Sequence, residues 1–198
     1  MEEWKTYKIG ELYDVHNGLS KGGQFFGTGY PFLSFSIVFK NYFLPDELCN
    51  LVESTEKERH SYDILRGDVF ITRTSETAAE LGMSSVALKD YPQATYNGFT
   101  KRLRPIQGEN IVVPEYIGYY LRSKKFRSLF YSLSAAMSTR ASLANADLLN
   151  MEVALPNKRQ QTKIADILRS IDHKIELNNR INHNLARVAS VIQTNIPA

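Results

Sequence analysis

A chain of 198 residues with 43% apolar content can bury a substantial core, which excludes a chain disordered by composition. Its single cysteine, Cys49, excludes a disulfide framework within one chain and is expected to be a small core residue. The net charge is only +3, the start Met1-Glu2-Glu3-Trp4-Lys5 is acidic, and no apolar run reaches about 18 residues; a cytoplasmic chain with no signal peptide and no membrane contact is expected.

As far as about residue 150, short apolar runs alternate with turn chemistry at Asn17-Gly18, Lys21-Gly22-Gly23, Gly27-Thr28-Gly29, Arg66-Gly67-Asp68 and Asn97-Gly98. Strands are predicted at 31–35, 68–72, 85–88 and 99–103, and the glycine-rich stretch 22–29 reads as a flexible loop. Pro114 then suits the start of a helix to about residue 133, with Ile117, Leu121, Phe126, Leu129 and Phe130 at helical spacing. Leu155-Pro156-Asn157 marks a boundary: Pro156 disfavours helix before it, and Asn157 with Gln160 forms a candidate capping box. No Pro or Gly follows until Pro197, so one helix is predicted from about 158 to 195. The expected fold class is therefore α+β, a mixed globular domain over 1–156 followed by one long C-terminal α-helix within 157–198.

That helix carries a 3.5-residue repeat. Ile164, Ile171, Asn178, Leu185 and Ile192 fall at a positions, Ile167, Lys174, Ile181 and Val188 at d, and Leu168, Ile175 and Ala189 at e. A stripe this long needs a covering surface, expected here to be a partner helix. Asn178 lies near the helix midpoint. It either sits in the seam, penalising registers that leave its amide unmatched, or faces solvent at the seam edge.

Charge shifts sign along the chain: residues 1–100 hold 9 Lys and Arg against 14 Asp and Glu, whereas 101–140 hold 8 against 2. Such a basic block is either a polyanion-facing surface or a solvated basic face. Catalytic signatures are missing from the sequence. There is no G-x-x-x-x-G-K-[ST] or G-x-G-x-x-G, no metal-ligand spacing among His16, His60, His173 and His183, no Cys-x-x-Cys, and no nucleophile elbow. Glu56 and Glu58 read as surface charge.

The run from Leu155 through Lys158-Arg159-Gln160-Gln161-Thr162-Lys163-Ile164-Ala165-Asp166-Ile167-Leu168 to Ile171-Asp172-His173-Lys174-Ile175 resembles the conserved region that opens the spacer helix of type I restriction–modification specificity subunits. Gln160 stands where that family usually has Glu. Arg66-Gly67-Asp68-Val69-Phe70-Ile71 resembles the family's Gly-Asp strand, while Trp4 with Leu12 and Glu115 to Ser123 match weaker landmarks. Full-length members carry two target-recognition domains, each followed by a helix, with the two helices antiparallel. One domain and one helix here resemble a half-subunit. The resemblance implies a homodimer joined by an antiparallel coiled coil, docked to a methyltransferase (M) subunit and, where present, a restriction (R) subunit. It would read a split target on double-stranded DNA, an inverted repeat if the halves are identical. S-adenosylmethionine, ATP and Mg²⁺ would then belong to the partner subunits, with no catalytic residue, cofactor or metal in this chain. Pairing with a different half, or a coiled-coil interaction protein without a DNA role, remain the alternatives.

Base readout favours Arg, Lys, Asn and Gln, and phosphate contacts come from Lys, Arg, Ser and Thr. Candidates on turns beside strands are Arg73, Thr74 and Ser75, then Asn97, Lys101 and Arg102. Lys21, Lys124, Lys125, Ser138, Thr139 and Arg140 are expected at phosphates, with Arg73 and Arg140 foremost of all.

Overall fold

The computed structural model describes residues 4–74, 80–135 and 143–194, the second stretch with side chains as far as 132 and the last as far as 185. In chain order the elements are β1 (Lys5–Lys8), α1 (Ile9–Leu12), β2 (Tyr13–Asn17), β3 (Phe26–Leu33), α2 (Phe35–Lys40), β4 (Leu51–Val52), α3 (Glu56–Ser61) and β5 (Val69–Thr72). There follow β6 (Ser84–Val86), β7 (Thr95–Tyr96), β8 (Thr100–Pro105), α4 (Pro114–Tyr120), α5 (Lys124–Ala135), α6 (Asn145–Asn150), β9 (Glu152–Leu155) and α7 (Lys158–Thr194). The architecture is α+β with a long C-terminal helix, as the sequence pattern implied.

Among the described residues, three small sheets carry the domain. A four-stranded sheet runs β2-β8-β5-β6 with antiparallel neighbours, and a three-stranded one runs β4-β3-β7 with β3 and β7 parallel. The third pairs β1 with β9, Lys5 opposite Leu155, so the two ends of the domain meet just before α7 begins. Every side chain of β5 is buried. Their alternation divides the interior: Val69 and Ile71 join a core with Leu103, Ile117, Phe126 and Phe130, while Phe70 joins Leu33, Val38, Leu44 and Tyr96.

The Gly67-Asp68 landmark has a structural job. Gly67 takes φ +89°, a conformation that favours glycine, and turns the chain into β5. Asp68 is fully buried and takes a two-point grip from Arg104, Nε to Oδ1 at 2.8 Å and Nη2 to Oδ2 at 2.7 Å, while the Leu65 N–H donates to Oδ2. Burial pushes the Asp68 carboxyl up from the usual carboxylate range against the pull of Arg104.

Several expectations are corrected. Residues 22–29 are not a loop; a 3₁₀ turn at Gly23–Phe25 leads straight into β3, paired with β4. The helix expected over 114–133 is two, α4 and α5. Between them Arg122 folds inward and donates to the carbonyls of Ser84, Val38, Phe39 and Asn41, and the Ser123 hydroxyl accepts from the Phe126 N–H. The inward pull on Arg122 and the new cap at Ser123 separate two helices that apolar spacing alone would join. Cys49 is exposed rather than part of the core. At the start of α7 the Asn157 side chain accepts from the Gln160 N–H at 2.9 Å, but the buried Gln160 Oε1 returns no bond, so the cap forms without the full box.

Gln161, next in the chain, fastens α7 to the domain. It is 1% exposed; its Oε1 accepts from the Val113 N–H, and its Nε2 donates to the carbonyls of Ile111 and Pro156, all at 2.9 Å. Ala165 is buried in the same core, Ile164 packs beside it, and the Tyr119 hydroxyl donates to Asp172 at 2.6 Å. Ile164, expected at a partner helix, thus packs against its own domain, and Leu168 is half-buried.

Candidate nucleic-acid interface

One end of the four-stranded sheet gathers most of the described turn residues singled out above. Thr72 pairs with Thr100, and Asn17 with Lys101. Beyond those pairs the ladder continues through Arg73 N–H to the Phe99 carbonyl at 3.0 Å and Gly18 N–H to the Thr100 carbonyl at 3.2 Å. The Leu143 N–H donates to the Arg73 carbonyl at 2.8 Å, which brings the start of α6 to the same end.

Two turns lie back to back there. Asn97-Gly98 meets Gly18-Leu19-Ser20 through Leu19 N–H to the Tyr96 carbonyl and Gly98 N–H to the Leu19 carbonyl, both 2.8 Å. A Cβ at Gly18 would run into the Asn97 carbonyl, so that position needs glycine for the close approach, whereas one at Gly98 would meet the Ser20 hydroxyl, which can rotate away. Asn97 stiffens its own turn, Oδ1 accepting from the Phe99 N–H and its carbonyl from the Thr100 hydroxyl, both at 2.7 Å. The turn holds Phe99 out into solvent, 60% exposed. Beside it, Arg73 is half-buried, and among the described residues no hydrogen bond or ion pair holds its guanidinium.

The basic block resolves differently from its sequence reading. Lys101 is only 4% exposed and donates to the side-chain oxygens of Asn17, at 3.1 Å, and of Asn145. Burial, and then the nearby charge of Arg73, holds its ammonium below the usual lysine range. Arg102 reaches Asp63 at 2.7 Å, Arg104 holds Asp68, and Arg127 donates to the Leu81 carbonyl at 2.6 Å. Lys101 and Arg102, expected at DNA, are therefore engaged inside the domain. Their strand is central, and a buried cation must find partners. Lys21 forms an ion pair with Glu58 at 2.8 Å and lies over the Phe25 ring, while Lys124 and Lys125 are exposed at the start of α5. Thr74 follows Arg73, half-buried. Ser75, Ser138, Thr139 and Arg140 lie outside the described residues.

Along α7 a second surface is open. Ile167, Ile171, Ile175, Ile181 and Leu185 are between 46% and 61% exposed, and Asn178 is exposed among them. Val188 and Ile192 continue the repeat on backbone whose side chains lie outside the described residues.

A single domain of this kind, leading through a Leu-Pro-Asn boundary into such a helix, matches the family described as type I restriction modification DNA specificity domain over residues 1–187. The chain belongs to this family. It is 26% identical over 196 residues to the HindI specificity subunit of Haemophilus influenzae and 25% identical over 193 residues to the MjaIX specificity subunit of Methanocaldococcus jannaschii. The matches cover 97% and 95% of this chain but only 40% and 42% of those type I restriction enzyme subunits. The specificity-domain fold recurs in solved structures. A chain from a study of complex assembly and conformational transition in a type I R-M system superposes with TM-score 0.63 at 20% identity, over 97% of this chain and 44% of that one. The HsdS subunit from Thermoanaerobacter tengcongensis gives 0.57 at 20% identity, over 90% and 40%. Sequence reasoning missed three contributors at this family member's sheet end, Asn17, Asn145 and Phe99. An Asn in a turn, an Asn in a short helix and a Phe at the head of a predicted strand carry no signal of their role until the chain is folded.

Proposed function

We propose that this chain is a non-catalytic DNA-specificity module of a type I restriction–modification system. Residues 1–156 read one part of a split target on double-stranded DNA, and the helix from 157 onward pairs with a second such helix to set the distance between two readers. The observation that carries this reading is a single specificity domain joined to a helix whose apolar stripe the domain leaves uncovered. Because the chain spans about 40% of its curated relatives, two copies supply most of a relative's length. Antiparallel pairing about a two-fold axis brings Asn178 of each copy close to its mate, and a two-fold reader recognises an inverted repeat.

Methylation of adenine N6 from S-adenosylmethionine belongs in this reading to a docked modification subunit. DNA cleavage with ATP and Mg²⁺ belongs to a restriction subunit where one is present. The setting is the cytoplasm. Arg73, Thr74 and Asn97 are the contacts at the sheet end, and Ser75 is a further DNA contact; Lys21, Lys124, Lys125, Ser138, Thr139 and Arg140 are phosphate contacts. Lys101 and Arg102 are withdrawn from direct contact, since their charges are engaged internally.

The test is a base-resolution map of N6-methyladenine in cells expressing this chain with a candidate modification subunit, compared with cells lacking the chain. A new split palindromic motif is expected. A split asymmetric motif would replace the homodimer by pairing with a different half. Methylation independent of this chain, with a modification subunit known to be active, would remove the targeting role. Arg73→Ala should cost roughly 1–3 kcal/mol of base discrimination in the same assay, and an unaltered motif would retire Arg73 as a reader.

A further inference from the structure

Three asparagines stand together at the open end of the four-stranded sheet, and each has its amide oxygen engaged from within. The Lys101 ammonium donates to Oδ1 of both Asn17 and Asn145, and the Phe99 N–H donates to Oδ1 of Asn97. An amide can present either its acceptor or its two donors, and a donor on one side decides which way it lies. Among the described residues no hydrogen bond uses the NH₂ group of any of the three. Asn17 and Asn145 are exposed and Asn97 half-buried. The cation doing this is itself shut away from solvent, so its charge is spent on orientation rather than on a ligand.

We propose that this end of the domain is a donor platform, in which Asn17, Asn97 and Asn145 offer amide N–H groups to acceptor atoms of DNA and Lys101 is the residue that positions two of them. The proposal rests on the DNA-reading role above and adds which chemistry is read. DNA supplies acceptors of two kinds, guanine O6 and N7 or thymine O4 on base edges, and phosphate oxygens. An asparagine pairing bidentately with adenine accepts from N6 with its own oxygen, and here one of that oxygen's two lone pairs is already taken from inside the domain while both amide N–H groups are open. Arg73 adds charge beside the platform, and the exposed Phe99 ring adds an apolar neighbour of the kind that packs on a thymine methyl.

The exchange Asn17→Asp with Asn145→Asp keeps an acceptor for Lys101 while turning the outward donors into a charged acceptor. Binding of the full chain to a fluorescent mixed-sequence duplex should weaken about 10- to 100-fold, with thermal stability retained. Asn179→Asp, on the exposed part of α7, adds one of those two charges and should change affinity less than about twofold, so two charges placed at random account for no more than about fourfold. Lys101→Met should weaken binding as well, and in its background the Asp exchanges should cost less than in the native chain, because the amides are no longer held in place. Selection from a randomised duplex pool separates the two kinds of acceptor. A shifted base preference in the Asp variant assigns base edges, whereas an unchanged preference with uniform loss assigns phosphates. Native-like binding by the Asp variant, or a loss no greater than that of Asn179→Asp, overturns the platform while leaving the DNA role intact. Absence of DNA binding by the native chain overturns both.

Discussion

The two halves of α7 face opposite demands on one uninterrupted helix. From Lys158 to Asp172 it is fastened to α4 and the segment before it by Gln161, Ala165 and the Tyr119–Asp172 bond. From His173 to Leu185 every residue is exposed, although Ile175, Leu177, Ile181 and Leu185 are as apolar as those in the first half. At 37 residues the helix is about 55 Å long, whereas a domain of about 150 residues is roughly 35–40 Å across. The same amphipathic pattern therefore serves as an anchor where domain lies beneath it and as an open surface where none does.

The largest expected effect breaks the anchor. Gln161→Leu leaves the Val113 N–H and the Ile111 and Pro156 carbonyls without their partner in a buried place, a cost of about 3 kcal/mol. Denaturant titration should show that loss, and a change below about 0.5 kcal/mol would mean that Gln161 is not the fastener. The next acts on the open half alone. Ile175→Lys with Ile181→Lys should leave the chain's own stability within about 0.5 kcal/mol. It should weaken self-association measured by sedimentation at least about 100-fold, since each buried Ile is worth roughly 1.5–3 kcal/mol. A parallel loss of domain stability would erase the distinction between the halves.

A smaller effect comes from pH at the helix that α7 packs on. Burial is the largest single influence on the Glu115 carboxylate and pushes it up, but the bond to Arg66 at 2.8 Å, its own backbone N–H and the charges of Arg66 and Arg169 together outweigh burial and hold it below the ordinary range. A depressed carboxylate stabilises above its unfolded value, and that contribution is lost as pH falls through the folded value. Arg66 is partly exposed, so the contribution stays under about 1 kcal/mol. Glu115→Gln should reduce the drop in stability on acidification by that amount. Smallest of all, Glu176→Gln, which removes the exposed i,i+4 pair with Arg180, should change stability by no more than about 0.5 kcal/mol.

Periodicity and punctuation made the long helix, its boundary at Pro156 and the buried strand after Gly67 readable in advance, because those features depend on neighbours within a few residues. They could not show that Ser123 would start a new helix. Arg122 is drawn inward by carbonyls some 40 and 80 positions away in sequence. The DNA candidates divide along the same line. Arg73, Thr74 and Asn97 sit on turns whose place next to strands is local, and the fold brings them to one sheet end. Lys101 and Arg102 looked equivalent in sequence, yet their strand lies between two others, where Asp63, Asn17 and Asn145 receive them.

By itself, then, the sequence determined the α+β class and the helix with its apolar stripe, which follow from local propensity and repeat, and the family, which its motif residues carry. Tertiary structure decided which cations are engaged internally, which face of α7 the domain covers and which asparagines have their oxygens tied. The reason is physical: a charge or an amide takes its role from the partners within about 3 Å, and in this chain those partners come from distant segments.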